Sequence, residues 1–403
     1  MPSTSPAPFP GVSRRSFFRL AASASAVAAM PALTEAHLAY AARPRFADPN
    51  KGIHIDANEN PLGPCDAARQ AMVDIIPRGG RYLFNLEDEL AAIFAQQEGL
   101  KPENIRVYAG SSEPLCYTTL AFTSKDKPLV IADPGYEAPM NAASANGAPI
   151  LKIPLADPKG TATHDLKAML AASTSPGVIY ICNPNNPTGT CTPRADIEHA
   201  VANAPKGSVL LIDEAYIHLC DQPRSLDFVK EGRDVIVLRT FSKLYGMAGI
   251  RMGFAVGRPD LLARLDYYGR NFLPITAMAA AKASLLQPDI VSTRKKIVAG
   301  TRTDTIAWLQ SSGYAVTPSE SNCFMLDTRR PGKDVQAALA AKEMYVGRIW
   351  PAWPTQLRIT VGTPDEMLAF RQAFAEVMVT STAGLGPHRN PGELARFRTP
   401  ALS

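Results

Sequence analysis

Apolar residues fall in short blocks along this chain, and the period of the pattern changes partway through. Between residues 105 and 257 seven apolar runs recur: IRVYAG, PLVIAD, PILKIPL, GVIYICN, SVLLIDEA, DVIVLRT and GFAVG. Several are nearly continuous rather than alternating, and they are rich in Val and Ile. Such runs fit strands buried on both faces, as in a parallel sheet covered by helices. The segments SEPLCYTTLAFT, APMNAASANG and RADIEHAVANA between them suit crossover helices. Upstream, IHIDANENPLGP reads as an extended arm ending in a turn, and DAARQAMVDII as a short helix. LEDELAAIFAQQE, residues 86 to 98, reads as a second helix with acidic residues in its first turn.

The pattern changes near residue 271. TAMAAAKASLL and a long stretch through VAGTRTDTIAWLQ predict helices, CFMLDT, YVGRIW and LRITVG predict strands, and EMLAFRQAFAEVM predicts a last helix. The expected fold is α/β: a large domain with a mainly parallel sheet and helices on both faces, plus a smaller α+β domain. The expected division is a leader at 1–41, an arm at 42–80 contributing to the small domain, a large domain at 81–270, and a small domain at 271–383. A Pro- and Arg-containing tail, 384–403, is expected to be disordered. No internal repeat is visible.

Composition narrows the functional classes. The chain has 403 residues, 46% hydrophobic and 20% charged, enough for a large core and two domains. Its net charge is +5, and a leader ending at Ala41 would remove Arg14, Arg15, Arg19 and Glu35, a net +2, leaving about +3. That balance is too mild for nucleic-acid binding, and no Lys/Arg-rich block exists. Six cysteines occur without a CxxC pair and six histidines without HExxH spacing, so no metal site is expected. Most of the cysteines read as small packed residues. Cys182 and Cys191 flank one turn, where a disulfide is conceivable.

The N-terminus carries an address. SRRSFFRL, residues 13 to 20, precedes the small apolar stretch AASASAVAAMPAL, which is too short to span a bilayer. Ala39-Tyr40-Ala41 offers an A-x-A cleavage site. The Arg14-Arg15 pair followed by Ser-Phe-Phe resembles a twin-arginine export signal. A periplasmic or otherwise exported protein is the expectation; an amphipathic arm on a cytoplasmic protein is the alternative.

Lys243 sits in RTFSKLYGMAGIRMG, just beyond an apolar strand. A lysine desolvated there has a lowered pKa, and a neutral amine serves carbonyl chemistry. The bland alternative is a lysine snorkelling from a strand end. Its neighbours weigh on the choice. GSSE follows IRVY, DPGY follows LVIA, NPNNPTGT follows VIYIC, FSK follows VIVLR, and DEAY begins at the end of VLLI. Ligands bind beyond the carboxyl ends of strands in open α/β sheets, so these loops point to one site.

NPNNPTGT, DEAY and RTFSKLYGMAGIRMG, with ANENPLGP before them and LRITVGT after, resemble fold-type I pyridoxal-phosphate aminotransferases over about residues 53 to 380. The histidinol-phosphate aminotransferase group matches best. The resemblance implies pyridoxal 5'-phosphate as cofactor, held as a Schiff base on Lys243, whose freed amine then carries the proton at the substrate Cα. Asp213 would keep the ring nitrogen protonated; a helix N-cap is its ordinary alternative. Asn186 and Tyr216 would donate to the phenolic oxygen, although NPNNPTG is also a natural tight turn. Tyr136 would stack on the ring, or be a core aromatic. Ser111 and Ser112 at a helix start, with Ser242, Arg251 and Thr240, would hold the phosphate.

The resemblance also implies a homodimer with shared sites, in which Tyr82 reaches the partner's cofactor phosphate. Arg358 would bind the substrate's carboxylate or equivalent anion, with Asn322 near it and Arg348 on a distal phosphate. Several positions depart from the family pattern. VGRIWPAWPTQLRIT is short and places Trp350 and Trp353 where the distal end of the substrate should lie, which suggests a larger or flatter amine, or two tryptophans covering the small domain. Ala109, Ser112 and Leu83 also differ from the usual residues. Together with export, these departures point away from histidinol phosphate. The expected activity transfers an amino group from an amino acid, or a phosphorylated or aromatic amine, to a 2-keto acid. A decarboxylase or lyase on the same fold is the alternative, and a non-catalytic binding protein a distant one.

Overall fold

The computed structural model describes Glu35, Leu38, residues 51–269 and residues 271–380. The Arg14-Arg15 pair, the Ala39-Tyr40-Ala41 site and the tail lie outside the described residues. The seven apolar runs become β2 (Ile105–Tyr108), β3 (Leu129–Asp133), β4 (Ile150–Pro154), β5 (Val178–Cys182), β6 (Val209–Asp213), β7 (Val235–Thr240) and β8 (Gly253–Gly257). They form one sheet in the order β2-β8-β7-β6-β5-β3-β4. Strands β3 to β7 pair in parallel, while β8 runs antiparallel to both β2 and β7.

Continuous apolar runs are what this sheet needs, because its central strands are buried on both faces. All five residues of β5 and all six of β7 are buried. Each fully buried Ile, Leu or Val contributes roughly 1.5–3 kcal/mol. The helices that cover the faces include α1 (Asp66–Ile75), α2 (Asn85–Glu98), α3 (Ser112–Phe122), α4 (Ala138–Ala145), α5 (Leu166–Ala171), α6 (Arg194–Asn203), α7 (Leu226–Lys230) and α8 (Pro259–Asp266). Next, α9 (Ile275–Leu285) packs against α1 and α2.

Beyond it lie α10 (Ile290–Ser311), β9 (Cys323–Asp327), α11 (Gly332–Ala340), β10 (Met344–Val346), β11 (Gln356–Thr360) and α12 (Pro364–Thr380). Strands β9 and β11 pair antiparallel. The arm supplies β1 (Ile53–Ile55), which pairs in parallel with β10. The run YVGRIW was expected to be a strand throughout, but pairing stops at Val346. Its remaining apolar residues are buried by other means: Trp350 is 1% exposed, with its indole N–H on the Gly135 carbonyl at 2.9 Å. Among the described residues no helix is long and apolar enough to cross a membrane.

Strand register sets the site. Cys182 pairs with Asp213 and Asp213 with Leu238, while Tyr108 and Thr240 both pair with Gly253. The carboxyl ends of β2, β5, β6 and β7 therefore lie side by side on one edge of the sheet.

Candidate active site

Asp213, a residue only 3% exposed, ends β6. The Tyr180 hydroxyl on β5 donates to Oδ2 at 3.0 Å, and the Ala215 backbone N–H donates to Oδ1 at 3.1 Å. No α-helix begins there, so Asp213 is not a helix cap; the next helical turn is a 3-10 turn at Ile217–Leu219. Burial pushes its pKa up to about 6, against the opposing pull of those donors and of Lys243. The neighbouring Glu214 is tied to buried Arg239 on β7 at 3.1 Å, which fixes the strand ends that carry Asp213 and Lys243 relative to one another.

Lys243 does not snorkel. It is 7% exposed, and its Nζ donates to the Asn58 carbonyl at 3.0 Å and the Ala57 carbonyl at 3.4 Å. Burial lowers its pKa, Glu35 opposes this, and Arg358 adds to it. The arm residue Asn58 has a wider role. Its side-chain amide donates to the Tyr216 hydroxyl at 3.1 Å and to the Cys323 sulfur at 3.2 Å, so it holds both the lysine and the tyrosine.

A cavity of about 310 Å³ joins these groups. Its walls include Ser111, Ser112, Tyr136, Asn186, Asp213, Tyr216, Thr240, Ser242, Lys243 and Arg251, together with Glu35. At one end α3 starts at Ser112 with its free N–H groups toward the loop. Thr240 Oγ1 donates to Ser242 Oγ at 2.9 Å, and Arg251 Nη1 donates to the same oxygen at 3.3 Å. Arg251 Nη2 also reaches the Ala109 carbonyl at 3.2 Å. Gly110 makes that approach possible: its φ is +87°, and a Cβ there would lie 2.3 Å from Arg251 Nη2. The cavity thus has an anion-binding end built from hydroxyls, a guanidinium and a helix N-terminus. It also holds a buried carboxylate and an amine. A flat ring carrying a phosphate, a basic nitrogen and an aldehyde fits that donor set.

The third functional group is a pair of arginines. Arg358 is fully buried; its Nη1 donates to Asn186 Oδ1 at 3.0 Å, and its Nη2 donates to the Asp56 carbonyl. Arg348 pairs with Glu137 at 2.6 Å. Both guanidiniums also pair with Oε1 of Glu35, Arg348 at 2.5 Å and Arg358 at 2.6 Å. They converge on one carboxylate, so the expected separation of Arg358 from a distal Arg348 subsite is replaced by a single anion subsite. The Arg348 and Arg358 guanidiniums lie 4.5 Å and 5.5 Å from the ring centroid of Trp350. That tryptophan backs the arginines and does not line the cavity, while Trp353 packs against Ala132, Leu155 and Ala162. Of the two readings open for these tryptophans, an aromatic rim or a packing role, the contacts favour packing.

Two other predicted residues lie off the cavity wall. Asn322 donates to the carbonyls of Asn58 at 3.1 Å and Glu59 at 3.3 Å, bracing the arm. Tyr82 is 64% exposed and clusters with Phe84 and Phe272, at ring separations of 5.7 Å and 4.8 Å. The conceivable Cys182–Cys191 disulfide is absent, both being free thiols. The turn sends them apart: Cys182 donates to the Pro184 carbonyl, while Cys191 lies within 4.8 Å of Cys220 and Glu320. Residues that the sequence reading passed over are Glu35, Asn58, Tyr180 and Glu137. Asn58 lay inside the motif ANENPLGP and Tyr180 inside the strand run GVIYICN.

Residues 50–374 match the family model for aminotransferase class I and II. The chain is similar to a histidinol-phosphate aminotransferase of Moorella thermoacetica, with 32% identity over 81% of this chain and 85% of that protein. It is similar also to an aromatic amino acid aminotransferase of Mycolicibacterium smegmatis, with 34% identity over 83% and 92%. In fold it resembles histidinol-phosphate aminotransferase from Sinorhizobium meliloti, solved with pyridoxal-5'-phosphate, at a TM-score of 0.75 and 24% identity over 88% and 96% of the two chains. With a buried lysine, a buried carboxylate and an anion cup on one sheet edge, this chain belongs to the class I and II aminotransferases and is a pyridoxal-phosphate-dependent enzyme.

Proposed function

We propose that this aminotransferase takes the amino group of an α-amino acid, aromatic ones first, with the carboxylate seated on Arg358 and Asn186, and delivers it to a 2-keto acid bound the same way. The carrying observation is the charge balance of the anion subsite. Apart from Glu35, which sits on both guanidiniums in this structure, Arg348 and Arg358 supply two positive charges, and Glu137 keeps one of them neutralised at 2.6 Å. One net positive charge suits a monoanionic carboxylate better than a phosphate monoester near −2.

Pyridoxal phosphate supplies an electrophilic aldehyde and an electron-withdrawing ring. Around it, Ser111, Ser112, Thr240, Ser242 and Arg251 would hold the phosphate, Asn186 and Tyr216 the phenolic oxygen, and Tyr136 one ring face. Asp213 would stabilise a cationic N–H on the ring. Lys243 Nζ would anchor the aldehyde covalently and, as a neutral amine, take the proton from the substrate Cα. Its lowered pKa supports that role. The export signature supports a periplasmic location after removal of the leader. The exposed Tyr82 cluster supports a homodimer in which that edge meets a second copy.

Half-reaction spectra with purified protein test the substrate. Phenylalanine or tyrosine should convert the bound cofactor with a kcat/KM at least about tenfold above that of histidinol phosphate, roughly 1.4 kcal/mol of discrimination. A preference for histidinol phosphate would remove the carboxylate reading.

A further inference from the structure

Glu35 belongs to the leader that export would remove, yet its side chain lies inside the active site. Its Oε1 pairs with Arg348 at 2.5 Å and Arg358 at 2.6 Å, and its Oε2 accepts from Asn186 Nδ2 at 3.1 Å. Two guanidiniums and an amide on one carboxylate are the donors that an amino-acid carboxylate would require. Leu38 anchors the same segment separately: it lies on helical backbone, three residues on, and packs against the main hydrophobic core.

The two carboxylates cannot share these donors. With Glu35 docked, Glu137 and Glu35 together neutralise both arginines. Without it Arg358 keeps only neutral oxygens, of Asn186 and Asp56, and has a charge to offer. Burial alone would raise the Glu35 pKa, but Arg358 and Arg348 outweigh it and hold it at about 2, so the acid is ionised at every physiological pH.

We propose that Glu35 is a tethered competitor for the substrate carboxylate, and that it must leave Arg348, Arg358 and Asn186 before an amino acid can take its place. The proposal rests on the carboxylate-binding role given to Arg358 above. A tethered ligand acts at high effective concentration, and substrate affinity falls by the fraction of molecules in which the tether is undocked.

The test uses the full chain loaded with cofactor, as wild type, Glu35→Gln and Glu35→Lys. Glutamine keeps the size of the side chain and removes its charge; lysine is repelled by both arginines. Calorimetry reads the affinity for 3-phenylpropanoate, a carboxylate without an amine to react. Both variants should bind it at least about tenfold more tightly than wild type, with KM for phenylalanine falling by a similar factor. A merely structural Glu35 would leave the affinity unchanged or weaker in both variants, and that result overturns the proposal. The two readings fail separately. Equal affinities with active transamination would leave the amino-acid reading standing without the competitor. Tighter binding in the variants with no amino-acid turnover would do the reverse.

Discussion

At the residue scale, burial acts on the carboxyl group that ends β6. Asp213 is ordinarily an acid with a pKa near 3.8, raised here to about 6 chiefly by burial. In the cofactor-free protein this is a destabilising feature above pH 6, on the order of 3 kcal/mol. The sign follows from proton binding: between pH 3.8 and about 6 the folded state holds a proton that the unfolded state has lost, so stability rises as pH falls through that window. The stability of wild type relative to Asp213→Asn should therefore increase from pH 7 to pH 4.5, measured by urea denaturation. A flat difference would mean that the carboxyl is solvated. In the loaded enzyme the same substitution should lower kcat about 10²–10³-fold, the scale of losing one preorganised charge partner.

Loops between elements decide how those residues meet. Gly246 follows Lys243 by three residues, has φ +67°, and comes so close to the arm that a Cβ would lie 2.2 Å from the Gly63 carbonyl. Gly246→Ala combines a disfavoured left-handed backbone with a displaced arm, at a cost of about 2 kcal/mol. Faster amide exchange around Asn58 and a lower denaturation midpoint would check it, and unchanged exchange would show that the arm is not tied to this loop. The strands themselves were legible, because a strand buried on both faces must be apolar throughout. The overlong YVGRIW reading has the same origin. Ile349 and Trp350 are apolar in the sequence whether they sit in a sheet or not, and Trp350 is buried against two guanidiniums, which no periodicity announces.

At the scale of the whole molecule the exposed aromatic edge calls for a partner. Tyr82, Phe84 and Phe272 are 64%, 61% and 69% exposed, yet their rings gather within 5.7 Å of one another. An apolar patch of this kind usually marks an interface. Sedimentation should report twice the chain mass, and the triple alanine variant at these positions should shift toward monomer and bind pyridoxal phosphate more weakly. A monomeric wild type would contradict the shared-site reading.

The sequence alone determined the sheet and set its polar loops and Lys243 at strand ends, because apolar continuity and turn chemistry are local rules; the cofactor roles of those residues came from the family resemblance. What it left open were long-range meetings. Nothing local brings Glu35 to Arg358, Asn58 to Lys243 or Tyr180 to Asp213. Nor does spacing reveal that Arg348 and Arg358 close on one carboxylate, or that Cys191 leaves Cys182 for Cys220. Only the tertiary structure decided these, because a buried charge takes its partner from whichever element packs against it, and that element can come from any part of the chain.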